Sequence, residues 1–354
     1  MRGKTMWIGV LCLGVASGAA GQVSRVPDVS NLLTRWLDWA DIHRPTQVGR
    51  LTVFPITLSR GVETVRGVLT MQQALGRGLL SIEELDSAVI SKARFINKSR
   101  REMIFLMAGE MITGGKQNRT LQTDALLAPG SSTVLPLYCV QKGRWTGGRG
   151  FKGISAVAPQ AVRERAAQRV GQDAIWGEVA RANKRLRSGT ASQDLYAAMA
   201  KPENVRRFAE LRRRIVPHLP RGCVGVVVVT GGRIAGADLF NAPELFAAMR
   251  DKVLNSYLGE YGWPLPVRPR YGVMPIRVVS AEQVREYLRD CYRSRLVAGE
   301  RRGVGRVYSL RGRRSGQTLG YNDRCMVHTA LTGSGVLPVR PRPIPPPRPL
   351  PPRR

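Results

Sequence analysis

The chain of 354 residues is long enough for one large domain or two ordinary ones, and its 43% hydrophobic content with 38 glycines supports a packed core and excludes a disordered chain. Its 56 Lys+Arg against 25 Asp+Glu leave a formal net charge of +31, which draws a protein toward nucleic acid, anionic lipid or acidic polysaccharide without choosing among them. The arginines run from Arg2 to Arg354 and form no single block, so no specific nucleic-acid partner is predicted.

Arg2 and Lys4 precede the apolar run MWIGVLCLGVASGAA, which ends in small residues at Ala19, Ala20 and Gly21. This is the pattern of a secretory signal, so residues 1–21 are expected to be removed and the mature chain to be exported, to the periplasm, the envelope or the outside. The run falls short of the about 20 apolar residues that span a bilayer, and no transmembrane span is expected in the mature chain. Cys12 follows Leu11 where a lipid acceptor needs a small residue, so lipidation is not expected. Cys139, Cys223, Cys291 and Cys325 remain, and an exported chain permits disulfides among them in any of three connectivities. Cys139 and Cys223 lie in strand-like runs and read as buried small hydrophobes, which leaves Cys291 and Cys325 as the pair to test first. There is no Cys-x-x-Cys, and His43, His218 and His328 are far apart, so neither a zinc site nor a cofactor is predicted.

Residues 22–48 form an amphipathic helix and linker, in which Leu33, Trp36, Leu37 and Ala40 share one stripe. A single α+β domain is expected over 49–335, with an antiparallel, sandwich-like or open-barrel first half. LTVFPITL reads as a strand that Pro55 places at an edge or bulge, and VETVRGVLTM as a second. SIEELDSAVISKARFINKS reads as a short helix or turn and a strand, EMIFLMAGE as another, and Pro129-Gly130 as the turn between TLQTDALL and TVLPLYCV. Beyond Gly153 the period becomes helical: Val162, Ala166 and Val170 point inward and Arg163, Arg165 and Arg169 outward. Helices follow through GQDAIWGEVARANKRLRSG, through DLYAAMA behind a Thr190 to Gln193 capping box, and from Pro202 to Pro217. CVGVVVV, Gly231-Gly232 and IAGADLF form a hairpin, Asn241 caps the next helix, Ser280 caps SAEQVREYLRDCYRSRL, and MVHTAL is a last strand. Residues 336–354 form a Pro/Arg-rich tail of polyproline II character.

The chemistry concentrates between Gly109 and Trp145. GGKQNR is not a phosphate loop, because Lys116 is followed by Gln117 where that motif needs Ser or Thr. The glycine pair lets backbone approach a ligand closely, Lys116 and Arg119 supply cations, and Gln117 and Asn118 supply amides for a ribose or base edge. In a regular strand these four alternate between faces, so a distortion at Gly114-Gly115 is required to bring them together. Gln141, Arg144 and Trp145 follow the next strand, where a guanidinium beside an indole suits a nucleotide-like ligand; Arg144 pairing with Glu110 is the structural alternative.

GGKQNRTL, CVQKGRW, QDAIW and VGVVVVTGGRIAGADLF together resemble the ADP-ribosylglycohydrolase and rhodanese-phosphatase-superfamily-associated protein domain family, over about Leu51 to His328. The resemblance implies a ligand related to NAD and ADP-ribose. It nominates Gly115, Lys116, Gln117, Asn118, Arg119, Arg144 and Trp145 for binding and Glu110 as the catalytic acid or base, with Gln172, Trp176 and His328 behind them. Family members typically carry Glu where this chain has Gln141, and an amide cannot serve as a general base. The expected function is therefore an exported protein binding an ADP-ribose-like or other anionic small molecule. The alternative is a non-catalytic basic protein held to an anionic envelope surface by its arginines and tail.

Overall fold

The computed structural model describes residues 29–333 apart from 86–90, 145–149, 190–192, 264–277, 292–293 and 323. The signal segment, the Pro/Arg tail and Trp145 lie outside the described residues. Helix α1 (Val29–Asp38) is followed by β1 (Ala40–Ile42), β2 (Thr46–Val48), β3 (Leu51–Leu58) and β4 (Val68–Thr70). Pro55 is not at an edge: β3 pairs with β13 on one side and with β1 and β2 on the other. The proline nitrogen faces the break between β1 and β2, so its missing N–H costs no ladder bond. The strand expected through Met71 stops at Thr70, because Thr70 and Gln73 form a reciprocal cap that opens α2 (Met71–Gly76).

Strands β5 (Leu80–Glu84), β6 (Lys92–Asn97), β7 (Met103–Leu106), β8 (Glu110–Gly114), β9 (Arg119–Leu121), β10 (Ala125–Leu127), β11 (Ser132–Cys139) and β12 (Phe151–Val157) complete the first half. SIEE is therefore strand, not helix or turn. The segments flanking Pro129-Gly130 are not partners either: β10 pairs with β7, whereas β11 pairs with β6 and β9. One sheet runs β12-β8-β9-β11-β6-β5, and a Glu83↔Gly150 bridge joins its two edges into a small closed barrel. Its interior holds Ile82, Phe95, Ile112, Leu121, Leu135 and Leu137.

The helices are α3 (Gln160–Ala167), α4 (Gln172–Arg185), α5 (Leu195–Ala200) and α6 (Pro202–Ile215). Asp194, accepting from Tyr196 N, caps α5, while the expected box opening at Thr190 begins outside the described residues. Next come β13 (Gly225–Thr230), β14 (Arg233–Phe240), α7 (Pro243–Tyr261) and α8 (Ala281–Asp290). Ser280 caps α8 with Gln283 as expected, whereas Asn241 donates to Glu63 O and leaves the cap position of α7 to Ala242. The α8 helix stops at Asp290, and the chain turns into β15 (Arg295–Arg302), β16 (Gly305–Arg311), β17 (Gly316–Tyr321) and β18 (Cys325–Thr332).

The architecture is α+β with mainly antiparallel sheets. A nine-stranded sheet, β1-β3-β13-β14-β18-β17-β16-β15 with β2 also on β3, is covered on both faces. Alternation along CVGVVVV sends Val226 and Val228 to the helices α4, α6 and α7, and Val227 and Val229 to α1 and α8. The stripe Leu33, Trp36 and Leu37 of α1 is buried in the second of these layers. The four cysteines among the described residues are free and buried, Cys291 and Cys325 included.

Candidate functional site

The barrel positions the polar stretch at one of its ends. Pairing of Ile112 with Arg119 leaves Gly114 to Asn118 as the connection, which reverses through positive φ at Gly114 (+103°) and Gly115 (+53°). This is the distortion the sequence required. The space a side chain at Gly115 would need is taken by the chain itself: a Cβ there would lie 2.6 Å from Glu84 Oε1 and 2.8 Å from the Phe151 ring. Glu84 Oε1 accepts from Lys116 N at 3.0 Å and from Arg119 Nη2 at 2.6 Å. Arg119 also donates to Lys92 O and lies 4.9 Å from the centre of the Phe151 ring. Burial lowers the pKa of its guanidinium, and Glu84 offsets part of that.

Asn118 faces a different set of partners. Its Nδ2 donates to both oxygens of Asp194, at 3.1 and 3.0 Å, and its Oδ1 accepts from Gly114 N and from Arg144 Nη2 at 3.1 Å. Gln141 closes the network, accepting from Asn118 N and from Arg144 Nε at 2.7 Å and donating to Asp194. Arg144 further donates to the carbonyls of Gly114 and Gly115. The two polar clusters thus meet through Asn118, with the Arg144 guanidinium over the turn and the Arg119 guanidinium turned to Glu84. Asp194, Glu84 and Phe151 carried no sequence signal, since each lies in a different segment from the motif it completes.

Lys116 is exposed and Gln117 wholly buried, with neither amide atom hydrogen-bonded. Gln172 exchanges two hydrogen bonds with the Cys139 backbone, and Lys142 Nζ sits 5.0 Å from the Trp176 ring centre. Gln172 therefore ties α4 to the end of β11, and Trp176 packs against the residue stretch that follows it. Glu110 begins β8, about 13 Å along the strand from the turn at roughly 3.3 Å per residue. It is fully buried, accepts from Met107 N and pairs with Lys252 at 2.5 Å, so neither the Arg144 pairing nor an acid–base role at the turn fits its placement.

A second buried ionic group lies where the nine-stranded sheet meets the 107–124 connection. His328 Nδ1 is 2.7 Å from Asp124 Oδ2, and its Nε2 is 3.1 Å from Asp238 Oδ1. Arg163 forks onto Asp238 at 2.6 and 3.2 Å, and Tyr257 OH donates to it at 2.8 Å. Arg163 was expected to point outward with Arg165 and Arg169. It points inward because Asp238 is there, and the chain clears it only because Gly109 has no side chain: a Cβ would lie 2.2 Å from Arg163 Cγ.

A carboxylate at each ring nitrogen requires an N–H on both, which is imidazolium. Burial pushes the His328 pKa down, but Asp124 and Asp238 more than reverse it, to about 9 from an ordinary 6.5. In turn, Arg163 and His328 hold Asp238 well below the usual carboxylate range despite its burial. Because the folded pKa of His328 is the higher one, its stabilisation is fully present below pH 6.5 and is lost as pH rises through about 9. Wild type is expected to lose on the order of 3 kcal/mol between pH 6 and pH 10 from this group. Urea denaturation of wild type and His328→Gln across that range checks it: equal pH slopes contradict the charged imidazolium.

Comparison with known proteins adds one finding. The family model described as ARG and Rhodanese-Phosphatase-superfamily-associated Protein domain matches residues 40–332, most of the chain. No curated protein and no solved structure matches it.

Proposed function

From the premise that the chain belongs to the ARG and Rhodanese-Phosphatase-superfamily-associated Protein domain family, we propose that it is an exported protein that binds a small anionic ligand of ADP-ribose type at the Gly114 to Arg119 turn beside Arg144. The observation that carries this reading is the Arg144 guanidinium, held over the turn by the Gly114 and Gly115 carbonyls and Asn118 Oδ1. The exposed Lys116 ammonium of the same turn provides a charge for a phosphate. Asn118, Gln141 and Asp194 hold the turn and Arg144 in one arrangement, so binding requires little reorganisation.

Calorimetry with ADP-ribose, NAD and acidic sugars on wild type, Lys116→Ala and Gln117→Leu tests the reading. Gln117→Leu keeps the volume and removes the unpaired amide. It is expected to stabilise the free protein by about 1–2 kcal/mol, whereas Lys116→Ala is expected to weaken the ligand by about tenfold or more. Equal heats for wild type and Lys116→Ala remove the assignment.

A second reading, attachment to an anionic envelope surface, is favoured by the edge hairpin β15 and β16, whose Arg295, Arg301 and Arg311 are exposed. It predicts binding to anionic vesicles that falls steeply with salt and survives Lys116→Ala. Export itself is checked by the amino terminus of the secreted chain, expected near Gln22.

A further inference from the structure

On the side of the nine-stranded sheet remote from the Gly114 turn in sequence, four segments enclose a cavity of about 810 Å³. The size is that of pockets that hold drug-sized or nucleotide-sized ligands, about 300–1,000 Å³. Arg50 comes from the turn between β2 and β3, Arg233 from the start of β14, Lys184 from the last turn of α4 and Arg187 from just beyond it. Tyr261 and Trp263, at the end of α7, supply aromatic wall. The lone carboxylate among the lining residues, Glu260, is held by Arg185 at 2.5 Å.

Cations at the end of α4 have an ordinary explanation, since the negative end of the helix dipole favours them there. Arg50 and Arg233 sit on β-turns and have no such reason. Neither they nor Lys184 has an ion-pair partner among the described residues. Like charges gathered around one concavity without counter-charge raise its potential and concentrate anions in it. The aromatic wall adds a second requirement. Arg187 lies 5.3 Å from the centre of the Trp263 ring, an arrangement that places a guanidinium beside a planar apolar surface. The cavity therefore offers several cations and an indole face.

We propose that this cavity is a second ligand site, distinct from the Gly114 turn, that takes an organic polyphosphate of nucleoside diphosphate class: the phosphates lie between Arg50, Lys184 and Arg233, and the ring lies against Trp263. The site does not depend on the turn, with which it shares no residue. Titration of the full-length protein with ADP, inorganic pyrophosphate and adenosine by calorimetry tests it. ADP and pyrophosphate are expected to bind wild type, with both weakened by about tenfold or more in Arg50→Ala/Arg233→Ala. Both arginines are exposed, so the variant folds, which its melting curve checks. Trp263→Leu is expected to weaken ADP severalfold and leave pyrophosphate unchanged, and Gln117→Leu to leave this site's affinity for pyrophosphate unchanged. Two results overturn the proposal: wild-type affinity in Arg50→Ala/Arg233→Ala, or an equal loss in Arg213→Ala/Arg214→Ala, which removes the same charge from exposed positions outside the cavity. A Trp263→Leu variant that binds ADP as wild type does overturns the nucleoside part.

Discussion

Replacement of Asp238 by alanine is expected to lower the unfolding free energy by about 3–5 kcal/mol, among the largest effects a single change can have in this fold. The carboxylate is wholly buried and accepts from Arg163, Tyr257 and His328 at once. Removing it leaves the Arg163 guanidinium, itself 4% exposed, without its counter-charge, and leaves His328 with only Asp124. Asp238→Asn keeps the shape and loses the charge, and is expected to lose more than about 2 kcal/mol for the same reason. Urea denaturation at pH 7 measures both. A loss below about 1 kcal/mol in either variant contradicts a buried charge network that depends on Asp238.

Glu110→Ala is expected to be nearly as costly, about 3–5 kcal/mol, because it strands the Lys252 ammonium in the core. The informative comparison is Glu110→Leu/Lys252→Met, in which both charges go together. Ion pairs this deep contribute little net stability relative to apolar residues of similar volume, so the double variant is expected to recover much of the loss, staying about 1–3 kcal/mol below wild type because the buried Met107 N–H loses its acceptor. It also separates structure from chemistry. If the acid–base role implied for Glu110 were real, the double variant would be stable and devoid of any turnover that wild type shows; if Glu110 only pairs with Lys252, ligand binding at the Gly114 turn is unchanged. A double variant as unstable as the single one would contradict the pair as the source of the loss.

Legibility in the sequence followed the range of the interaction that decided each element. The hairpin of β13 and β14 was readable because seven nearly continuous apolar residues meet a Gly-Gly turn, and α8 because Ser280 and Gln283 cap it within one turn. The α2 cap at Thr70 and Gln73 was equally local but was masked by the apolar VLTM that precedes it. Strands β15 to β17 were not readable: RLVAGERRGVGRVYSLRGRRSGQTLGY breaks its alternation with glycines and places arginines on an exposed edge, where charge blunts strand-to-strand association. The barrel was half readable. Its strands show period two, but which edge meets which is a matter of register, and the Pro129-Gly130 turn joins strands of two different sheets.

The candidate site divides in the same way. Gly115, Lys116, Gln117, Asn118, Arg119 and Arg144 could be picked out as polar groups in an apolar context, and the glycine pair announced the reversal. Their roles could not. Asn118 meets Asp194 across 76 positions, Arg163 meets Asp238 across 75, and His328 meets Asp124 across 204. The sequence by itself determined the class of fold, the both-faces-covered strand, most helix starts and the excess of cations, because periodicity, capping and charge act within a few residues. Only the tertiary structure decided which charges are buried, since a charge leaves water only when its counter-charge stands within hydrogen-bonding reach, and that distance is set by how the whole chain closes.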